Sequence, residues 1–428
     1  MTATSPRYMT RFRCLAQDCE DTCCAGLVVP VSEDRLKRLR DAVAGGPDAE
    51  RVDAFIRPEP GAAPGDEAVI AKREDGHCVF LDARKTCSLH RAYGEPALPD
   101  ACATFPRVAT RWSHGLEVTG SLACPEVARL CLLPEDALEA VPVSEDLALR
   151  PELARPLDGD EDNAWRRHAP AVRATALALL QHRELPFAAR LFALGQLGLR
   201  LDGFYFQGTE VFRGAAREGA DTLLTEVLHT FSAPETLSAL HGGFASLALP
   251  GGPWAGICAT VLKARRGAVR SGSERFLTLV DQVLASYGGE DLIPDDAWRI
   301  HEERRARLSP ALAERVEQYF RHHAVNHWLR HAFTDAPRVL DYVFRMVLRE
   351  AVLCWTLFGH PEVVALCAEP SRDTEAARAR LDAAAVECFQ LIAKHVEQAP
   401  QLHSLAQGLA GSGGGETLGR MLVLLKGL

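Results

Sequence analysis

Residues 336–358 read APRVLDYVFRMVLREAVLCWTLF, and their apolar side chains recur every three or four positions. This spacing places one apolar stripe along a helix, which must be buried against other elements. Comparable runs occupy residues 164–182, 186–201, 220–231, 273–287, 310–332 and 374–397. The sequence therefore predicts an all-helical domain over residues 134–428, suited to holding a substrate.

The sequence before this all-helical domain lacks long helical patterns. Residues 1–133 mix turns and cysteines with strand-like runs at 27–31, 68–71 and 78–81 and one helix at 31–43, for which Ser32 is the predicted N-cap. Residues 57–66 are predicted to form a surface loop, and the AGSGGG patch at 410–415 a flexible loop that joins two C-terminal helical pieces. The predicted fold class is mainly α: a small, irregular, cysteine-rich metal-binding domain with a few short strands, followed by the all-helical domain.

Composition narrows the possible functions. The 428 residues carry a formal net charge of −9, which disfavours a nucleic-acid-binding protein because such proteins present a basic face. No stretch reaches the roughly 18 uninterrupted apolar residues of a membrane span. We expect a cytoplasmic protein that binds neither nucleic acid nor membrane, and composition leaves its oligomeric state open.

Cysteines are concentrated near the N-terminus, because nine of the thirteen lie within residues 1–131. Disulfides are disfavoured in a reducing compartment, so thiolate ligation of zinc or of an iron-sulfur cluster is the better expectation. A four-iron four-sulfur cluster is slightly favoured, since the available thiols exceed what one zinc ion needs. Which four share a centre is left open. The predicted metal ligands are Cys14, Cys19, Cys23, Cys24, Cys78, Cys87, Cys102 and Cys124.

The remaining five cysteines have apolar, helical surroundings and are predicted to be core residues. They are Cys131, Cys258, Cys354, Cys367 and Cys388.

Three strings in the first third carry a family resemblance. CLAQDCEDTCCAG (14–26), CVFLDARKTCSLHRAYGEPALPDACATFPR (78–107) and GLEVTGSLACPEVARL (115–130) resemble the flagellin lysine-N-methylase family, whose cysteine module is associated with zinc or iron chelation. EQYFRHHAVNHWLRHAF (317–333) resembles a family segment more weakly.

The resemblance implies transfer of a methyl group from S-adenosylmethionine to a lysine ε-amine of a flagellin-like protein, or to a small amine. Arg107, in a matched string, is the candidate to orient the cosubstrate carboxylate. The accepting amine must be neutral, so a base is expected nearby. The candidate bases are Asp82, Glu117 and Glu126.

Two observations keep alternatives open. No strand–glycine–helix motif of the G-x-G-x-x-G type is present, and the C-x-x-x-C-x-x-C pattern of radical enzymes fails at its third cysteine in the nearest match, Cys19 to Cys24. Polar and radical mechanisms therefore both remain possible. The alternative functions are an iron-sulfur protein with redox or radical chemistry other than methyl transfer, and a non-catalytic, metal-stabilised protein that binds a partner.

Histidines recur in HHAVNHWLRH at 322–331. His323, His327 and His331 are spaced by four residues and share one helical face, as metal-binding imidazoles do. Because Arg321 and Arg330 flank them, we expect a basic, partly solvated face in preference to a metal site.

Overall fold

The computed structural model describes residues 3–60, 67–158, 164–206, 217–269, 273–331, 333–336, 338–369, 374–397 and 400–428. Within them the fold is mainly helical, as predicted. The helices, numbered α1 to α19 in chain order, are Arg7–Arg11, Glu33–Val43, Ala49–Phe55, Ser88–Tyr93, Asp100–Thr104, Pro125–Leu132, Ala164–Gln181, Phe187–Phe206, Arg217–Thr230, Pro234–Ala245, Gly252–Ala268, Glu274–Ser286, Pro294–Arg307, Pro310–Arg330, Val339–Gly359, Pro361–Ala368, Glu375–Ile392, Pro400–Ala410 and Gly414–Leu425. A π-helical turn, Ala393–Glu397, extends α17.

Two small sheets lie in the first 156 residues. Their strands, β1 to β8, are Ala3–Pro6, Pro30–Val31, Ile56–Pro58, Ala68–Ile70, Arg107–Trp112, Gly115–Gly120, Ala140–Val143 and Arg155–Pro156. The larger sheet has the order β7-β1-β6-β5-β8, with β1–β6 and β5–β8 parallel and the other pairs antiparallel. The smaller sheet, β2-β4-β3, is antiparallel.

Buried side chains divide into one large core and smaller ones. The large core runs through the helical body and also takes in Tyr8 and Met9 of α1 and Val127 of α6. A separate small core, from Val29 to Ala103, lies beneath the three-stranded sheet. The domain boundary at residue 133 remains a prediction, but α1 and α6 pack with the helical body.

Helix α15 lies at the centre of the large core, with most of its side chains buried. It packs closely against α8, because a Cβ added to Gly198 would lie only 3.2 Å from the Leu340 Cα atom. Asp202 of α8 accepts hydrogen bonds from the backbone N–H groups of Val339 (2.7 Å) and Leu340 (3.1 Å). One carboxylate thus satisfies two amides at the α15 N-terminus that have no partner inside the helix.

Over the described residues, no single helix is both long enough and apolar enough to cross a bilayer. Helices α15 and α16 meet that composition only when taken together, and they bend by 62° at their junction.

Hydrogen bonds join the N-terminal part to the helical body. Tyr8 donates to the Asn326 Oδ1 atom (2.6 Å) and accepts from the Gly120 backbone N–H (2.7 Å). Lys394 of the π-helical turn forms a buried ion pair with Asp21 (2.7 Å). This pair fixes the loop between Cys19 and the adjacent pair Cys23–Cys24 against α17.

The seven predicted helical runs of the body are confirmed as α7, α8, α9, α12, α14, α15 and α17. Helix α2 is also confirmed, with the Ser32 side chain accepting from the Arg35 backbone N–H (3.3 Å). Two of the strand-like runs contain β2 and β4. The prediction of a strand at 78–81 is wrong, because that segment forms a turn whose ends make isolated β-bridges to Lys72 and Cys87.

Two predicted loops have different outcomes. Of the predicted surface loop at 57–66, positions 61–66 lie outside the described residues, while β3 extends to Pro58. The patch at 410–415 joins two helices, as predicted, but the connection is shorter than expected, because α18 ends at Ala410 and α19 begins at Gly414. Gly411 and Gly413 have positive φ angles of 78° and 98°, which glycine adopts without steric cost, so the connection is a tight turn.

Candidate functional site

Four of the predicted metal ligands lie together beside the small core. Cys24, Cys87 and Cys102 pack against the core that contains Cys78, and the Cys78 N–H donates to the Cys24 carbonyl (2.7 Å). Burial, together with the nearby thiols of Cys24, Cys87 and Cys78, raises the pKa of Cys102 to about 12. We call Cys24, Cys78, Cys87 and Cys102 the four-thiol group.

A second set consists of Cys14, Cys19 and Cys124, here called the three-thiol group. Burial raises the pKa of Cys124 to about 12, and the charges of Cys19 and Cys14 add to the shift. Cys124 precedes α6, where the backbone N–H groups of Glu126 and Val127 act in the opposite direction. Amides at a helix N-terminus favour a thiolate, which suits a metal ligand, while burial keeps the free thiol protonated near pH 7.

All thirteen cysteines are free thiols. Cys23, exposed, lies beside Cys24, to which it is hydrogen-bonded through the side chain. The five cysteines predicted to be core residues are buried, as expected. Six of the eight predicted metal ligands are thus at least partly exposed, whereas Cys78 and Cys124 are buried like the five core cysteines.

The thiol groups have the donor chemistry of a metal centre, because soft sulfur ligands from separate stretches of chain converge. Within each thiol group, the sulfur atoms lie farther apart than the four ligands of a single zinc ion would. Zn–S bonds of about 2.3 Å in a tetrahedron put the sulfurs about 3.8 Å apart. Among the described residues, the group of three potential ligands within 4.8 Å of one another contains no cysteine.

Arg107, the predicted cosubstrate residue, lies at the three-thiol group. Burial lowers the pKa of its guanidinium, while nearby Cys14 and Cys124 partly oppose that shift. The guanidinium carbon lies 5.2 Å from the centroid of the Phe12 ring, and its buried Nε atom has no hydrogen-bond partner among the described residues. Arg107 thus supplies positive charge beside the thiols, in a position compatible with an anionic ligand.

Asp82 and Glu126, predicted as candidate bases, have structural partners. Asp82 accepts from the backbone N–H groups of Arg84 (2.9 Å) and Thr86 (3.0 Å), and these bonds, led by that of Thr86, hold its pKa at about 2. Glu126 pairs with Arg129 one helical turn away. Asp82 closes a turn, and Glu126 stabilises α6.

Glu117, the third candidate base, lies on β6 and pairs with Arg173 of α7. The Arg173 guanidinium carbon also lies 4.6 Å from the centroid of the Trp112 ring. Glu117 thus joins the sheet to the helical body. The structure does not bring Asp82, Glu117 and Glu126 together at one site, and their catalytic assignment remains a prediction.

A cavity of about 180 Å³ separates the cysteine loop from the helical body. Cys19 and Leu81 line it on one side, and Phe276 and His395 on the other. Burial lowers the pKa of His395 to about 4, so its imidazole is neutral near pH 7. His395 lies in the π-helical turn after α17 and was not predicted, because nothing in the local sequence pattern distinguishes it.

The predicted histidine face of α14 is instead part of a buried polar network. His323 is 2% exposed and hydrogen-bonds to Glu350 (2.8 Å) and Glu397 (3.0 Å). Burial alone would lower the pKa of His323, but the two carboxylates outweigh it and raise the pKa to about 9. Arg330 bonds to the second oxygen of Glu397 (2.9 Å) and to the Ser121 Oγ atom (3.0 Å).

The expectation of a partly solvated face is therefore wrong for this helix. His322, His323 and His327 are each 2% exposed and Arg330 is 8% exposed. The spacing correctly placed the imidazoles in a row. It did not identify Glu350 and Glu397, which come from α15 and from the π-helical turn after α17.

Taken together, these features define a thiol-rich N-terminal part docked on a helical body. Residues 173–424 match the family described as the FliB lysine N-methylase C-terminal domain. The match covers more than half of the 428 residues, and the chain belongs to that family.

Individual relatives match over a shorter region. The lysine-N-methylase of Salmonella typhimurium is 27% identical over 150 residues, which is 32% of this chain and 34% of the relative. The flagellar biosynthetic protein FliU of Salmonella muenchen is 27% identical over 150 residues, 32% of this chain and 81% of the relative. The alignment thus spans about a third of the first protein. No solved structure matches the chain.

Proposed function

We propose that this protein is a lysine N-methylase that uses S-adenosylmethionine as methyl donor and holds a metal centre through its N-terminal cysteines. The observation that carries the proposal is the convergence of seven thiols into two groups within a chain of the FliB lysine N-methylase family. A protein of the flagellin type is the proposed substrate, and a small amine is the alternative.

The two thiol groups have different proposed roles. Cys24, Cys78, Cys87 and Cys102 supply four ligands, the number that closes a structural site. Cys14, Cys19 and Cys124 supply three, which leaves one position for a substrate or cosubstrate atom, as in catalytic sites. Arg107 beside the three-thiol group would pair with the cosubstrate carboxylate.

An iron-sulfur cluster is the proposed centre, because it is larger than a single ion and needs more widely separated sulfurs. When bound, such a cluster supplies electron transfer or Lewis acidity. The thiols are held for this task by the protein: Cys87 and Cys124 precede α4 and α6, and Lys72 donates to the Cys24 carbonyl (3.3 Å). Positive charge from Lys72 favours the thiolate forms.

In the proposed overall reaction, the bond between the methyl carbon and the donor sulfur breaks and a carbon–nitrogen bond forms. The products are S-adenosylhomocysteine and methyllysine, and the ε-ammonium group releases a proton. The cavity beside Cys19 is the proposed amine site, because it combines apolar side chains, Leu81 and Phe276, with a carboxylate, Glu274, that would attract the ammonium form. Neutral His395 adds no repelling charge. Desolvation between the apolar side chains would then lower the lysine pKa and favour the reactive neutral amine.

The test is methyl transfer by the full chain purified without oxygen. We expect label from methyl-labelled S-adenosylmethionine to appear as methyllysine in flagellin, with free lysine as the small-amine acceptor for comparison. Cys19→Ser should lower the rate at least tenfold, whereas Cys367→Ala, far from the thiol groups in sequence and buried in α16, should retain it. Metal-replete protein that neither binds S-adenosylhomocysteine nor transfers label would overturn the proposal.

A further inference from the structure

A second cavity, of about 190 Å³, lies within the helical body. It is lined by His327 and His331 of α14, Tyr342, Arg345 and Arg349 of α15, Arg155 of β8, and Ala336. We call it the arginine pocket. None of the thiols lines it, and the proposed methyl transfer assigns it no role.

Several nitrogen atoms around this pocket are buried without a hydrogen-bond acceptor among the described residues. They are the Arg349 Nε, His327 Nδ1, His331 Nε2 and Arg330 Nε atoms. Because Arg349 donates to the His327 Nε2 atom (3.1 Å), the remaining His327 nitrogen carries hydrogen and is itself a donor. Buried donors are nearly always paired, so we expect a bound ligand to supply acceptor atoms to this cluster.

The distribution of charge around the pocket also favours an anionic ligand. Arg345 and Arg349 form no ion pair with a carboxylate among the described residues, while Arg330 and His323 together balance the charges of Glu397 and Glu350. Both arginines are half-buried, and positive charge withdrawn from water without a counter-ion is destabilising. An anionic ligand would supply both the missing charge and the missing acceptors.

A cation is disfavoured at the same place, although atoms of His327, His331 and Glu397 lie within 4.8 Å of one another. Both Glu397 oxygens accept hydrogen bonds, from His323 (3.0 Å) and Arg330 (2.9 Å), and His327 Nε2 is engaged by Arg349. A metal ion would have to displace these bonds beside two guanidinium groups.

We propose that the arginine pocket binds an oxyanion, a carboxylate or phosphate group, through Arg345, Arg349 and the buried imidazole donors. The planar guanidinium matches both groups by bidentate hydrogen bonding. The volume holds several water-sized groups, so the pocket takes one anionic group, and the remainder of a larger ligand would lie outside it.

The test measures ligand binding to the full chain in low-salt buffer by calorimetry and by the thermal midpoint. The probes are inorganic phosphate, S-adenosylhomocysteine, which carries a carboxylate, 5′-methylthioadenosine, which lacks it, and Zn²⁺. The variants are Arg349→Gln and the more accessible Arg345→Gln, with exposed Arg299→Gln as the matched control. Charged hydrogen bonds of this kind contribute about tenfold or more to affinity.

Phosphate binding that weakens at least tenfold in both pocket variants but not in the control would support the proposal. Equivalent loss for S-adenosylhomocysteine, with none for 5′-methylthioadenosine, would also support it and identify a carboxylate as the ligand. Anion binding unchanged in both variants, no anion binding at all, or Zn²⁺ binding that depends on His327 would overturn it. Phosphate binding without S-adenosylhomocysteine binding would preserve this pocket while counting against the proposed methyl donor.

Discussion

The N-terminal part and the helical body are stabilised in different ways. The small core from Val29 to Ala103 is surrounded by short helices and two- or three-residue strands. The large core is built around α15, a 21-residue helix with most of its side chains buried. Small cores commonly depend on metals or other cross-links, whereas the larger core has ample apolar burial.

The comparison implies that thiols substitute for apolar burial in the N-terminal part. The four-thiol group lies where the small core ends, and Cys78 belongs to both. Cysteines of the helical body, such as Cys258 and Cys388, are instead fully buried as small hydrophobic residues, and the thiol near Cys258 is that of Cys354, which is also buried. The same residue type therefore has different consequences when substituted in the two regions.

The largest expected effect comes from Cys24→Ser in the four-thiol group. We expect loss of more than half of the bound metal and local unfolding of the segment around residues 24–103, because metal-binding energy in such sites is folding energy. Metal analysis and limited proteolysis measure both. Cys367→Ser is the control: metal content should be unchanged. A Cys24→Ser protein with full metal content and wild-type protease resistance would break the comparison.

Within the helical body, the substitution expected to destabilise the fold most is in the buried polar network around Glu397. Glu397→Gln removes a buried charge that faces His323 and Arg330. We expect a loss of about 3 kcal/mol in the free energy of unfolding, because buried Arg330 is left without its counter-ion and His323 keeps only Glu350. Urea titration of the variant against Glu416→Gln, an exposed carboxylate, provides the measurement. A loss below about 1 kcal/mol would show that the network is not structural.

The junction of the two regions should show an intermediate effect. Asp21 and Lys394 are paired at 2.7 Å with little exposure. A double-mutant cycle with Asp21→Asn and Lys394→Met should give a coupling energy of about 1–3 kcal/mol. The exposed pair Arg40–Asp53, also at 2.7 Å, should give less than about 0.5 kcal/mol in its own cycle. Equal coupling in both pairs would mean that burial at the junction is unimportant.

Asp202→Ala should have the smallest effect, about 1–2 kcal/mol, because α15 loses the cap at Val339 and Leu340. Burial raises the pKa of Asp202 to about 6, above that of an unfolded aspartate. The folded state therefore gains the proton first, and stability relative to Asp202→Asn should rise by about 1 kcal/mol from pH 7 to pH 5. Parallel pH profiles of the two proteins would contradict this shift.

Sequence patterns predicted the two regions unequally well. Periodicity identified the long helices, but it missed α10, α11, α13, α16, α18 and α19. Several of these contain glycine, which disfavours helices locally. Packing overrides that preference: the backbone at Gly252 approaches Asp295 so closely that an added Cβ would collide with its carboxylate.

The sequence predicted which residue types form the candidate site, but it did not predict how they are arranged in space. Cysteine clustering and the resemblance named the thiols, while their division into groups of four and three depends on how distant turns pack. The same limit applies to His323, whose partners Glu350 and Glu397 lie 27 and 74 residues away. Local spacing carries no information about such partners.

The most direct test of the account is elemental analysis and a visible absorption spectrum of the full chain purified without oxygen. We expect iron and acid-labile sulfide in equal amounts, at least about four of each per chain, with a broad band near about 400 nm that Cys24→Ser diminishes and Cys367→Ser does not. Fully folded protein without iron or zinc, and with all N-terminal thiols reactive, would contradict the claim that this region is held by a metal centre.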